Sequence, residues 1–173
     1  MYRLGWRPGF GILFIACAGM IAFALYHQFY QWLMPCLMCV YERIAIIGFG
    51  LFALLAAIFP PKKRSGVYVY TGILTLWGLF GAITGLRHVW MQYGPKDPSV
   101  SCASSLPFPI DLNALPGSIA AVIRPVGDCA NIDFTILGIT MPIWIVLACL
   151  GLVAVTWLLA RRQLTEIRRN QWR

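Results

Sequence analysis

Residues 142–160 read PIWIVLACLGLVAVTWLLA, nineteen positions without an Asp, Glu, Lys or Arg. As a helix rising 1.5 Å per residue this stretch is about 28 Å long, close to the roughly 30 Å of hydrocarbon in a bilayer. Three more runs free of charged side chains precede it: Gly9 to Tyr26, Ile44 to Phe59 and Val67 to Leu86. The second reaches spanning length only if Val40 to Arg43 extend it to the interface. Closed barrels are the other structure able to span lipid, but they need alternating strands of about ten residues, and these runs do not alternate. The composition agrees: of 173 residues, 60% are hydrophobic and only 12% charged, far from soluble-globular usage. An all-α membrane protein with a four-transmembrane-helix bundle is expected, as a single domain over residues 1–173 with spans near 9–26, 40–59, 67–86 and 142–160.

The first run is short and follows Arg3 and Arg7, as in a secretory leader. His27 to Trp32 offers no small-residue cleavage pattern, so an uncleaved helix is expected. Ten of the fourteen basic residues fall on one side of the predicted bundle: Arg3, Arg7, Lys62, Lys63, Arg64, Arg161, Arg162, Arg168, Arg169 and Arg173. The opposite loops hold Lys96 and Arg124, with Arg43 and Arg87 at span ends. The positive-inside rule then puts both termini in the cytoplasm. It leaves outer loops at about 27–39 and 92–141. The net charge of +8 reports topology and contact with lipid head groups, and gives no reason to invoke nucleic acid. Six prolines in the long loop, Pro95 to Pro125, favour extended and turning backbone. Only Leu115 to Ile123 reads as a short helix that could lie on the membrane. Gly78, Gly81 and Gly85 would let span three approach a neighbour closely. Trp32, Trp90 and Trp144 are placed as an aromatic belt.

Of six cysteines, Cys17 and Cys149 lie inside spans and read as small packing residues. The other four fall on the outer side. Cys102 and Cys129, in the long loop, could serve simply as a staple worth about 3 kcal/mol of denatured-state entropy. Cys36-Leu37-Met38-Cys39 is a Cys-x-x-Cys motif that opens a membrane helix directly after Pro35. Cysteines three apart in a first turn share a face, and the helix dipole there favours thiolate. Arg43 follows Cys39 by four residues on the same face, where a fixed cation lowers a thiol pKa. Glu42 and Arg43 could instead form a structural pair at the interface, with Arg43 snorkelling. A four-thiolate zinc site is the weaker rival, because Cys102 and Cys129 are not a second short-spaced pair; no metal is expected. His88, at the outer end of span three, should sit level with Arg43, where its ring could hydrogen-bond a quinone carbonyl. His27 has no comparable neighbourhood.

These residues resemble the disulfide bond formation protein B (DsbB) family. The resemblance rests on Pro35-Cys36-Leu37-Met38-Cys39-Val40-Tyr41-Glu42-Arg43, the His88 region, Gly127-Asp128-Cys129-Ala130 and residues 137–144, LGITMPIW. It implies a quinone-linked thiol oxidase of the bacterial inner membrane that regenerates a periplasmic DsbA-like dithiol oxidase, a relay known in general terms. By that resemblance Cys102 and Cys129 form the disulfide attacked by the partner, with Cys102 in the mixed disulfide. Cys129 then attacks Cys36, and Cys39 is released beside the quinone ring, where Arg43 stabilises it. His88 and Met91 would line the quinone pocket, and ubiquinone is expected ahead of menaquinone. Two alternatives compete. A membrane anchoring protein would use its outer disulfides as staples. A relative of the vitamin K epoxide reductases would carry its Cys-x-x-Cys near the end of a later span, whereas here the motif opens the second.

Overall fold

A computed structural model describes residues 5–30, 32, 35–94, 129–130, 132 and 135–171. Four helices account for most of them: α1 (Trp6–Tyr30), α2 (Leu37–Ile58), α3 (Arg64–Tyr93) and α4 (Met141–Gln171). Each is long and apolar enough to cross a membrane. The expected four-helix membrane bundle is therefore the fold.

Every span is longer than its charge-free run, because charge limits what enters hydrocarbon and not what stays helical. Backbone N–H and C=O groups keep bonding within the helix as it passes the head groups. α3 runs on to Tyr93, so His88 and Met91 are helical, and α4 carries Arg161, Arg162, Arg168 and Arg169 beyond Ala160. Local stops set the ends. α2 closes at Ile58 with the Phe59 N–H donating to Leu55 O at 2.9 Å, and Pro60 and Pro61 follow, which disfavour helix in the preceding residue. The Gly94 N–H donates to Trp90 O at 2.7 Å, and Pro95 comes next. A two-residue ladder, β1 (Thr135–Ile136) and β2 (Ile139–Thr140), leads into α4 and was not foreseen. Leu137 (φ 55°) and Gly138 (φ 78°) close it, both with the left-handed backbone a tight hairpin demands.

Neighbours in sequence pack side by side: α1 on α2, α2 on α3 and α3 on α4, with a lighter α1–α4 seam. Phe10, Leu13, Phe49, Ala53, Leu74, Leu152 and Leu159 are among the side chains that form the common core. Ile12, Ile15, Leu51, Leu76 and Ile83 stay exposed on the outside, where lipid tails are as apolar as leucine itself. The small residues of α3 do the work expected of them. A Cβ on Gly81 would lie 2.7 Å from Cys149 Sγ and 3.1 Å from Ala45 Cβ, and one on Gly85 would lie 2.8 Å from Val146 Cγ2. At the basic end, Trp6 Nε1 donates to Ala56 O at 2.8 Å while the Arg7 guanidinium donates to Ala57 O and Ile58 O. A cation thus sits on the last carbonyls of α2, where the helix dipole favours it. The outer-loop helix expected over Leu115 to Ile123, and with it Cys102, Lys96 and Arg124, lies outside the described residues.

Candidate functional site

At the opposite end of the bundle, Pro35 and Cys36 lead into α2, and Cys36 is its N-cap. The cap acceptor is sulfur: the Cys39 N–H donates to Cys36 Sγ at 3.3 Å. A helix N-terminus has orphan N–H groups that want an acceptor, preferably a negative one. Spacing alone brings Cys39 round to the same face, and the two free sulfurs lie 2.9 Å apart. That contact is the main reason the Cys36 thiol is held below its ordinary range. Burial opposes it, the Cys39 N–H adds to it and Glu42 works against it.

α3 brings His88 to the same sulfur. Its Nε2 is 3.6 Å from Cys36 Sγ, while its Nδ1 meets Glu42 Oε1 at 2.9 Å. The His88 and Glu42 side chains are 3% and 6% exposed, so Glu42, His88 and Cys36 form one buried line. Which ring nitrogen carries the proton follows from this: a carboxylate at Nδ1 wants an N–H, which leaves Nε2 as the acceptor toward a Cys36 thiol in the neutral ring. Arg43, one residue further along α2, donates from Nη1 to Gln28 Oε1 at 2.6 Å, tying α2 to the end of α1.

Cys129 completes the cluster. It is fully buried and held in a disulfide. It packs with Cys36 and Met38, and Leu37, Cys39 and Met91 border the same group. A residue ninety positions beyond the Cys-x-x-Cys motif is therefore in its immediate company.

Cys36, Cys39, Cys129, His88 and Met91, singled out in the sequence, meet in one place, with Arg43 a turn deeper. Cys102 lies outside the described residues. Glu42 and Gln28 were not foreseen in these roles. By sequence Glu42 reads only as a partner of Arg43. The available signal was its position: an acid within a membrane helix is costly enough to expect a dedicated partner. Gln28 carried no comparable signal. Two further buried oxygens, Gln92 Oε1 and Thr140 Oγ1, have no hydrogen-bond partner among the described residues.

Four apolar helices with a buried thiol cluster at one end define a multi-pass membrane protein built around cysteine chemistry. The comparisons narrow that class. The family model "Disulfide bond formation protein DsbB" matches residues 7–159. Proteins named disulfide bond formation protein B align along nearly their whole length. The one from Chromobacterium violaceum is 38% identical over 158 residues, 91% of this chain and 95% of its own. That from Stutzerimonas stutzeri is 38% identical over 157 residues, 90% of this chain and 96% of its own. That from Xanthomonas euvesicatoria pv. vesicatoria is 36% identical over 151 residues, 87% and 88% respectively. The chain belongs to the DsbB family of disulfide bond formation proteins.

Proposed function

We propose that this protein is a protein-dithiol:quinone oxidoreductase of the bacterial inner membrane, which reoxidises a periplasmic DsbA-like dithiol oxidase and passes the electrons to a membrane quinone. The observation that carries this reading is that the disulfide-bonded Cys129 shares one buried cluster with Cys36 and Met38, and that the Cys36 sulfur in turn meets Cys39 and His88. Thiol–disulfide exchange needs an attacking sulfur and a disulfide brought close together, and a loop staple has no need to share a buried cluster with a second cysteine pair. The basic cluster of Arg7, Lys62, Lys63, Arg64, Arg161 and Arg162 supports a cytoplasmic assignment for one end and a periplasmic one for the cysteines.

In this reading the partner's thiolate attacks the Cys102–Cys129 disulfide at Cys102, and Cys129 leaves as a thiolate. Cys129 then attacks Cys36 in the oxidised Cys-x-x-Cys pair, and Cys39 leaves. The partner's second thiol resolves the mixed disulfide and leaves oxidised, freeing Cys102, which attacks Cys129 of the Cys36–Cys129 disulfide. The Cys102–Cys129 bond re-forms, Cys36 leaves, and the electron pair rests on the Cys36–Cys39 dithiol. A bound quinone supplies a two-electron, two-proton acceptor. The residues present fit such a group: Leu37, Met38 and Met91 give apolar surface beside Cys39, and Arg43, a turn deeper on α2, offers a cation. Ubiquinone is the first candidate and menaquinone the second. His88 acts through Cys36, since its two ring nitrogens are given to that sulfur and to Glu42. It can take the Cys36 proton at Nε2 while Glu42 steadies the resulting imidazolium.

The test is quinone reduction by the purified, quinone-loaded protein mixed with a reduced periplasmic dithiol oxidase. Wild type should reduce the quinone, Cys39→Ser should abolish the reaction, and Arg43→Ala should slow it. If all three leave the quinone oxidised while remaining folded, the cysteines are staples and the chain is an anchoring protein.

A further inference from the structure

We propose that the reduced Cys36–Cys39 pair and His88 form a binding site for a thiophilic divalent cation, Zn²⁺ or its analogue Cd²⁺, and that Glu42 is the outer carboxylate of that site. Cys36 Sγ, Cys39 Sγ and a ring nitrogen of His88 all lie within 4.8 Å of one another. In a tetrahedral zinc site with about 2.3 Å Zn–S and 2.0–2.1 Å Zn–N bonds, sulfur and nitrogen stand roughly 3.5 Å apart and two sulfurs about 3.8 Å. The Cys36 Sγ to His88 Nε2 distance of 3.6 Å already meets the first requirement. The sulfurs, at 2.9 Å, have to part to about 3.8 Å to meet the second. Two soft thiolates with one imidazole select zinc-like ions over Mg²⁺ or Ca²⁺, which prefer oxygen.

The second observation is independent of the first. A histidine that ligates metal through one nitrogen nearly always donates the other N–H to a carboxylate or carbonyl, which fixes the ring and raises its basicity. His88 has that arrangement, with Glu42 Oε1 at 2.9 Å from Nδ1 and both side chains buried. The zinc site set aside on sequence grounds required four thiolates. This one needs two, and its third ligand comes from a helix fifty residues away.

Binding displaces the two thiol protons to solvent and leaves both sulfurs at the same oxidation level, so no electron acceptor is needed. The site exists only in the dithiol form, because disulfide sulfurs offer no thiolate. A bound ion would therefore hold the protein reduced and out of turnover.

The experiment uses the full chain in detergent carrying Cys102→Ser and Cys129→Ser, which removes the outer-loop thiols, reduced with a phosphine. Titration with Cd²⁺ alone, followed by the thiolate-to-cadmium charge-transfer absorbance, should show one ion per chain and two thiolates per ion, displaced by Zn²⁺. The same protein oxidised at Cys36–Cys39 should not bind. His88→Ala and Glu42→Gln should each weaken binding by about 10-fold to 100-fold. His88→Cys should restore it with the absorbance of a third thiolate, which separates loss of a ligand from loss of the fold. Equal affinity in reduced and oxidised chains, or in parent and His88→Ala, or a His88→Cys variant without the added absorbance, would overturn the proposal. Neither quinone nor partner enters the assay, so its outcome does not depend on the electron-transfer reading.

Discussion

The Glu42–His88 pair yields a quantitative prediction. At 2.9 Å, with side chains 3% and 6% exposed, the contact is shielded from water and salt. Hydrogen bonds to charged groups contribute about 1.5–3 kcal/mol net. Interhelical hydrogen bonds measured in a membrane protein average about 0.6 kcal/mol and reach about 1.7. The carboxylate places this pair at the upper end of the membrane range, near 1.5 kcal/mol or a little above. Glu42→Leu removes the acceptor and leaves a buried N–H unsatisfied, so destabilisation of about 2–3 kcal/mol is expected. Glu42→Gln keeps an acceptor and should cost about half that. His88→Leu combined with Glu42→Leu should recover part of the loss, giving a coupling energy of about 1.5 kcal/mol in a double-mutant cycle. Reversible unfolding in mixed micelles titrated with dodecyl sulfate, read by tryptophan fluorescence, measures the four proteins of the cycle, His88→Leu among them, and Glu42→Gln beside them. A coupling energy under about 0.5 kcal/mol, with the two single losses simply adding, would refute the pair as a bonded unit.

Three other outcomes are expected. The Cys36 thiol is depressed by Cys39, so its charged form contributes stability that is complete above the unfolded thiol value of about 8.5 and is lost as pH falls through the lower folded value. Thiolate absorbance, taken as reduced protein minus Cys36→Ala, should show that lower inflexion, and Cys39→Ala should raise it. Gly81→Ala should cost about 1–3 kcal/mol by overpacking, since its new methyl meets Cys149 Sγ at 2.7 Å; adding Cys149→Gly should relieve most of it in the same unfolding assay. Leu137→Gly should stabilise the hairpin by about 1 kcal/mol, because leucine at φ 55° bears a left-handed cost that glycine does not, and thermal denaturation would report the gain.

The bundle was legible because charge-free runs are a direct statement about hydrocarbon: four runs, four helices. Their ends were not, since a helix crossing the head groups keeps its internal hydrogen bonds whether its side chains are apolar or basic. Arg161 to Arg169 of α4 and Arg87 to Tyr93 of α3 show this. At the site, the Cys-x-x-Cys spacing in a first turn was enough to place two sulfurs together. The company of Cys129 was implied only by resemblance, because contact between a loop and a helix start is a tertiary fact with no periodicity to betray it. Glu42 and Arg43 show the same limit. Adjacent in sequence, they lie about 100° apart around the helix, and one reaches α3 while the other reaches α1. Their partners depend on which helices flank α2, which composition does not state.

The sulfur that caps α2 is also a sulfur that gains and loses electrons. A thiolate at an N-cap is a strong acceptor for the Cys39 N–H, and a disulfide sulfur is a weak one, so the first turn of α2 is better satisfied when the pair is reduced. N-caps contribute about 0.5–2 kcal/mol. If half of a typical cap is lost on oxidation, and 30 mV corresponds to about 1.4 kcal/mol for a two-electron couple, the reduction potential of the pair rises by roughly 10 mV. Helix start and midpoint potential are one quantity here, and a substitution at Leu37 or Met38 that frays the turn would make the pair a weaker oxidant without touching either cysteine.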